Sequence, residues 1–415
     1  MSSELPLLLY FHLTHQIYTD IIEVYIIRGG FGRPTSERQL EMEHTLNHKN
    51  ISVRQDFWGN LPQGYDDIFW GNLRKQAAID RIPIHGHFEL TPRCNFDCKM
   101  CYVHLAGDQL DQPELTFEEW KKIIDEAIDA GMVFASLSGG ECLLVPYFDE
   151  LYLYLKSKGI LVFVLTNGYL LSEKLPLFQA HPPAHIQISV YGHDAESYRN
   201  VTGRDRYHRV YDAIHKAEEM GLPIGIAVTA SKYLPSVFPI VEHFYKCNIG
   251  VSVNKWLIPP HDSTGRYLKD FILSPAEQVE IDLELLRATE QQMPRPATCD
   301  LPECGGQMHK ELRGLSCAAG RTDFSISWKG EMMPCVSLPY PVGTPLSEGF
   351  ASCWNAAVRY ADSALLPIEC SGCAYEKVCN RCYAFHLIHS EAGHCNPSAC
   401  EEIRLSVSRG IASLD

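Results

Sequence analysis

The sequence predicts an α/β fold with a parallel sheet, open or closed into an incomplete barrel, followed by a small cysteine-rich domain. Three observations lead there. Between about residues 85 and 260, short runs rich in Ile, Val, Leu and Phe alternate with amphipathic stretches. Six strand-then-helix units in series require helical crossovers between parallel strands. After Gln292 the texture changes to Cys, Gly and Pro in short runs, which sets a boundary near 290–298. With 415 residues and roughly 150 per domain, the expected organisation is an irregular extension over 1–84, a barrel over 85–292 and a cysteine-rich domain over 293–415.

The strands expected are His87–Thr91, Phe134–Ser138, Ile160–Leu165, His185–Val190, Ile224–Thr229 and Gly250–Ile258. Each is apolar enough to be covered on both faces. Thr116 with Glu119 forms a capping box, and Phe117, Trp120, Ile123, Ile124, Ala127 and Ile128 make the apolar stripe of the helix it opens. Gly131 ends that helix. Helices from Phe148 to Lys158 and from Tyr207 to Met220 end at Gly159 and Gly221 in the same way. Ser274-Pro275-Ala276-Glu277 opens a last helix, with Ser as N-cap, running to about Glu290. Ahead of the barrel, Phe57-Trp58-Gly59-Asn60-Leu61 recurs as Phe69-Trp70-Gly71-Asn72-Leu73. Two copies are too few for a solenoid. They are expected to be paired turns packed on the core, with a substrate-docking surface as the alternative.

Composition excludes several classes. Charged residues make up 21% and apolar residues 46%, ordinary for a globular chain. A net charge of −15 repels a phosphate backbone, so nucleic acid is not the expected partner. The longest run without Asp, Glu, Lys or Arg is the 19 residues 175–193, which contain three prolines and three histidines, so no membrane span is expected. The apolar start, Leu5 to Phe11, has no basic n-region and is a poor secretory signal. Sixteen cysteines in such a chain, expected to be cytoplasmic, point to metal or cluster ligation rather than disulfides.

Cysteine spacing carries the chemistry. Cys94-x3-Cys98-x2-Cys101 follows the first strand, so three thiolates within one loop can converge on one centre. A structural zinc site closes four positions; three plus one open position suits an iron–sulfur cluster with an iron free for chemistry. The alternative is a zinc loop with His104 as fourth ligand. Ser138-Gly139-Gly140-Glu141 stands at the end of the second strand, where two glycines permit close backbone approach to a ligand and the carboxylate can accept from a ligand ammonium. Thr166-Asn167-Gly168 and Ser189 occupy the next two strand ends. Four successive strand ends outline one pocket.

The triple-cysteine loop followed by Tyr102, then Gly-Gly-Glu, Thr-Asn-Gly and a fourth-strand Ser, resembles the radical S-adenosylmethionine (radical SAM) superfamily over about residues 85–260. The resemblance implies a partial (β/α)6 barrel. It implies that Cys94, Cys98 and Cys101 hold a 4Fe–4S cluster whose open iron chelates SAM, with Gly139, Gly140 and Glu141 near the methionyl amine. Asn167 joins that cofactor-binding set, Ser189 would hold the SAM ribose or carboxylate, and Arg204 is a further candidate for the carboxylate. One electron into the sulfonium would give methionine and a 5′-deoxyadenosyl radical that takes hydrogen from substrate. An electron donor such as flavodoxin or ferredoxin is implied as well.

A second set of cysteines lies in the last hundred residues. Cys317 precedes Gly330-x4-Cys335, then Cys370-x2-Cys373-x5-Cys379-x2-Cys382, then Cys400. Two Cys-x2-Cys pairs alone would read as a zinc ribbon, but seven thiolates suffice for two clusters. The pattern resembles the SPASM extension of radical SAM enzymes, apart from a last gap of two residues where that pattern has three. The resemblance implies two auxiliary 4Fe–4S clusters, one on Cys317, Cys335 and Cys382 and one on Cys370, Cys373, Cys379 and Cys400. Cys304 or Cys299 completes the first or leaves it open. Cys142, Cys247, Cys353 and Cys395 are expected to be free thiols, His85 and His87 structural, and His386, His389 and His394 superfluous beside the thiolates.

SPASM-bearing relatives mostly act on peptides or proteins. Val336 stands where sulfatase-activating enzymes typically place an Asp base, so that branch loses weight. Asp323 or Glu331 could supply a carboxylate, though spacing supports neither, and no catalytic acid or base is identified. The expected activity is maturation of a ribosomally made peptide by a thioether or carbon–carbon crosslink. The alternatives are a small-molecule dehydrogenase of the sugar type, a sulfatase-maturing enzyme and, from another class, a zinc-binding interaction protein.

Overall fold

The computed structural model describes residues 66–103, 111–257, 268–290, 297–298, 314–315, 317–338, 340–365, 370, 372–375, 378–379, 382–384 and 395–412. Its first half alternates helices and strands: α1 (Asp66–Asp80), β1 (His85–Glu89), α2 (Phe117–Asp129), β2 (Phe134–Ser138), a 3₁₀ turn (Cys142–Leu144), α3 (Phe148–Ser157), β3 (Leu161–Thr166), α4 (Leu171–Ala180) and β4 (His185–Val190). It continues through α5 (Ala195–Thr202), α6 (Tyr207–Glu219), β5 (Ile224–Thr229), α7 (Phe238–Lys246), β6 (Val251–Asn254), α8 (Leu268–Phe271), α9 (Pro275–Glu290) and β7 (Ala297–Thr298). The cysteine-rich segment adds β8 (Asp323–Ile326), β9 (Met332–Met333), α10 (Pro345–Glu348), α11 (Phe350–Ser363) and α12 (Pro397–Ser408).

All nine strands form one sheet in the order β7-β6-β5-β4-β3-β2-β1-β8-β9. Pairing is parallel throughout except for β8 with β9. This is the open barrel of α/β units expected, with one addition. β1 is flanked by β2 and also by β8, from the cysteine-rich segment, with His85 opposite both Phe134 and Asp323. β2, β4 and β5 have the bounds read from sequence. β1 begins two residues before the expected His87, because His85 and Gly86 already pair on both sides.

Alternation along β1 and β8 assigns their faces. Phe88 meets Trp120 of α2 at 5.9 Å and Phe324 of β8 at 5.9 Å, and Phe324 meets Phe350 of α11 at 4.9 Å. These rings face the helix layer, so His85, His87, Glu89, Asp323 and Ser325 face the opposite, inner side. The Thr116–Glu119 capping box forms as the sequence requires. Ser274 and Glu277 exchange the equivalent bonds, at 2.6 and 3.3 Å. The second copy of the Phe-Trp-Gly-Asn-Leu repeat lies inside α1, with Leu73 buried, and is therefore helical rather than a turn; the first copy lies outside the described residues.

Lys255, just past the C-terminal end of β6, is held between Asp282 of α9 at 2.6 Å and Glu402 of α12 at 2.8 Å. The Trp256 indole N–H also donates to Glu402, at 3.2 Å. A Lys255→Met substitution leaves two buried carboxylates facing each other. The expected cost is roughly 3–5 kcal/mol, read as a lower anaerobic unfolding midpoint against the wild type.

Candidate functional site

The cysteine loop leaves the C-terminal end of β1 and is pinned by backbone bonds. The Asp97 and Lys99 N–H groups donate to the carbonyls of Thr202 (3.0 Å) and Val201 (3.1 Å) at the end of α5, and the Cys101 N–H donates to Cys98 at 3.1 Å. Phe96 anchors the loop from inside, its ring 6.2–6.3 Å from those of Tyr169, Tyr191 and Tyr198. Cys94 is exposed while Cys98 and Cys101 are partly covered. The three sulfurs gather: burial pushes the Cys98 thiol well up, and the neighbouring Cys101 and Cys94 add to the effect. The Tyr191 hydroxyl lies beside Cys98 and tempers that rise, and Ser189 lies beside Tyr191, so Ser189 approaches the loop through one ring. His104 lies outside the described residues.

The Gly-Gly-Glu segment does something more specific than line a ligand. A side-chain carbon on Gly139, whose φ is +129°, would lie 2.5 Å from the Thr91 carbonyl oxygen; one on Gly140 would collide with the Arg93 carbonyl. The close approach expected of these glycines is thus made by the cysteine loop itself. The Gly140 N–H donates to Thr91 (2.7 Å) and the Glu141 N–H to Arg93 (2.9 Å), tying β2's end to β1's exit. Glu141 is fully buried. Its Oε1 accepts from Leu143 N–H (3.0 Å) and the Thr166 hydroxyl (2.8 Å), and its Oε2 from Asn167 N–H (2.7 Å). The carboxylate therefore joins the ends of β2 and β3. Asn167 extends the chain of contacts, its Nδ2 donating to Asn95 at 2.7 Å and meeting Cys94 Sγ at 3.5 Å. Arg204 is exposed, in the turn after α5.

The auxiliary cysteines form two groups. Cys317, Cys335 and Cys382 border a small apolar core of Leu315, Ala319, Leu338, Ala361, Ala364 and Ala384. Burial pushes Cys335 up to about 12, with Cys317 and Cys382 close enough to add to it. Cys299 and Cys304 lie outside the described residues, as do His386, His389 and His394. In the second group Cys370, Cys373, Cys379, Cys395 and Cys400 line one small cavity together with Arg404. Cys395, expected from sequence to be a free thiol, is one here too, and its sulfur lies 2.7 Å from that of Cys400. The signal was available as Cys395-x4-Cys400, with Asn396 capping α12 so that both sulfurs reach one side. Cys142 and Cys353 are buried in the main core.

On the inner face of the sheet, between these centres, the side chains are polar. Burial pushes the Glu89 carboxyl up to about 7, offset in part by the Tyr102 hydroxyl. Burial, reinforced by the charge of His87, lowers His85 to about 4. Gln187 donates to Ser252 at 3.3 Å across β4 and β6. Glu331 accepts from the Ser327 hydroxyl at 3.2 Å and serves its own turn. Three gathered sulfurs with one solvent-facing member suit a 4Fe–4S cluster that keeps one iron open, and two further thiol groups suit additional clusters.

Residues 88–233 match the radical SAM superfamily and residues 317–383 match SPASM, an iron–sulfur cluster-binding domain. The chain is a radical SAM protein with a SPASM domain, a combination that implies SAM and 4Fe–4S clusters. It is 28% identical over 333 residues to the AdoMet-dependent heme synthase of Methanosarcina barkeri (strain Fusaro / DSM 804), covering 74% of this chain and 93% of that protein. It is 24% identical over 374 residues to the antilisterial bacteriocin subtilosin biosynthesis protein AlbA of Bacillus subtilis (strain 168), covering 85% and 81%. In three dimensions it is similar to Streptococcus suis SuiB bound to precursor peptide SuiA, with a TM-score of 0.63 at 16% identity over 93% and 89% of the two chains. Among the described residues no helix is long and apolar enough to cross a membrane.

Proposed function

We propose that this chain is a radical SAM maturase that abstracts hydrogen from a ribosomally made peptide and forms a thioether or carbon–carbon crosslink. The observation that carries the proposal is the occurrence in one chain of a three-sulfur group, at the open strand ends, and two further thiol groups. Cys94, Cys98 and Cys101 would hold the cluster that binds SAM. Cys317, Cys335 and Cys382 would hold a first auxiliary cluster. Four of Cys370, Cys373, Cys379, Cys395 and Cys400 would hold a second. Together the bound cofactors supply one-electron cleavage of SAM to a 5′-deoxyadenosyl radical.

The chain's own residues do the placing. Gly139 and Gly140 let the cysteine loop close on β2, and Glu141 with Asn167 fixes that loop against β3. Tyr191 and Phe96 exclude water beneath it. Crosslinking removes two hydrogens from the peptide: one leaves as an atom with the radical, the other as a proton and an electron. The electron needs an acceptor, which is the role the auxiliary sulfurs suit. The subtilosin protein AlbA and the SuiB–SuiA complex favour a peptide. The heme synthase similarity favours a second reading, a small-molecule substrate held on the polar inner face.

Anaerobic iron and sulfide counting with a SAM assay under dithionite, flavodoxin or ferredoxin tests the enzyme. About twelve irons per chain and 5′-deoxyadenosine are the expected result. Incubation with short peptides encoded beside the gene then separates the readings, since a crosslinked product is lighter by two hydrogens. Zinc in place of iron, with no SAM cleavage, would sink the proposal. For the second auxiliary centre, Cys400→Ser is expected to lose iron as Cys370→Ser does, with Cys395→Ser losing less; the reverse order assigns the ligand role to Cys395.

A further inference from the structure

We propose that His85, His87 and Asp323 form a binding site for one divalent first-row transition-metal ion on the inner face of the sheet. The site lies at the strands' N-terminal end, away from the Cys94–Cys101 loop, with Asp323 close enough to Cys317 to act on it. His85 and His87 are two apart on β1 and share a face. Parallel pairing of β8 with β1 sets Asp323 directly beside His85. Separate segments of the sequence thus bring two imidazoles and a carboxylate to one point.

The distances are those of ligands sharing an ion. His85 Nδ1 is 3.4 Å and His87 Nε2 3.7 Å from the same carboxylate oxygen, Asp323 Oδ2. The three donor atoms all lie within 4.8 Å of one another. Both separations exceed a well-formed N–H···O bond of about 2.9–3.0 Å. Two ligands at about 2.1 Å from a tetrahedral ion stand about 3.4 Å apart.

Supporting bonds aim two of the ligands. His85 Nε2 is 2.8 Å from the Ser136 hydroxyl, which directs Nδ1 toward the cluster. The Thr322 hydroxyl donates to Asp323 Oδ1 at 2.8 Å, which leaves Oδ2 for the ion. Such outer partners are what a metal site needs to fix its ligands. His85 is buried, whereas the His87 and Asp323 side chains are 26% and 22% exposed, so an ion can enter and keep an open position. Two imidazoles with one carboxylate select zinc or ferrous iron over calcium or magnesium. The Arg74 guanidinium acts on His85 and tempers the affinity.

The test uses the full chain, purified anaerobically with its clusters loaded. Zn²⁺ is titrated against a chromophoric chelator, and iron and sulfide are counted in every sample. Zinc taken by other groups, such as His215, His243 and Cys247 on α6 and α7, is common to all variants and cancels. The wild type is expected to bind one more equivalent than His87→Ala or the bulkier His87→Gln. Asp323→Asn removes a ligand and is expected to weaken that equivalent by more than the roughly 10–100-fold that loss of an outer partner costs. Equal zinc uptake by the wild type and both His87 variants overturns the proposal. Zinc lost only in proportion to iron does so too, because it would place the ion among the thiols.

Discussion

A Cys98→Ala variant is expected to fold and to retain its auxiliary iron, yet to lose SAM cleavage by about 1000-fold or more, equivalent to about 4 kcal/mol in the barrier. Cys98 is the middle member of the loop, and its sulfur feels both Cys101 and Cys94. Without it the loop presents two sulfurs, one of them exposed, and a cubane would be left with two unprotected corners. The fold does not depend on the sulfur, because the loop is held by the Asp97 and Lys99 backbone bonds and by the Phe96 anchor. The auxiliary thiols sit on a different segment around their own small core. The expected signature is therefore about four irons fewer per chain, an unchanged unfolding midpoint and no 5′-deoxyadenosine. Cleavage at the wild-type rate would remove Cys94, Cys98 and Cys101 from the chemistry.

Strand positions were legible wherever a β-rich run was bounded by turn residues. Phe134–Ser138 follows Gly131 and precedes Gly139-Gly140; Ile224–Thr229 follows Gly221. β8 was not legible, because Asp-Phe-Ser-Ile is short, lacks a crossover helix beside it, and gains its place only by pairing with β1. The same pairing turned His85 and His87 from an unremarkable alternation into neighbours of Asp323. Sequence pattern could name all three residues but could not bring them together.

The site was legible in its cysteines and less so in its supports. Cys94, Cys98 and Cys101 stand out by spacing, and the fold brings their sulfurs near one another. The closeness of Cys395 to Cys400 was not legible, because the family pattern ends on one distant cysteine and the two sulfurs meet at the capped start of α12. Glu141 was expected to face a ligand; what the sequence did not reveal is that two backbone N–H groups and a hydroxyl also bind it. A buried carboxylate needs such donors, and those donors come from β3, which no local motif reveals.

Those supports lead to the second large effect. Gly140→Ala is expected to destabilise the chain by about 3 kcal/mol and to cost the cluster in the cysteine loop along with it. The added carbon would meet the Arg93 carbonyl and the Pro92 carbonyl, the latter at 2.7 Å, and both are backbone atoms that cannot rotate away. Either β2's end or the approach to Cys94 must move, and the Gly140-to-Thr91 and Glu141-to-Arg93 bonds break in either case. Gly221→Ala supplies the control. That residue has φ of +67° with nothing within 4 Å of the added carbon, so it carries only the backbone strain of about 1–2 kcal/mol. Both variants should unfold earlier than the wild type, but only Gly140→Ala should lose iron and SAM cleavage. If the two variants hold equal iron, the glycine serves the general fold, and the link from β2 to the cysteine loop is not what positions the cluster.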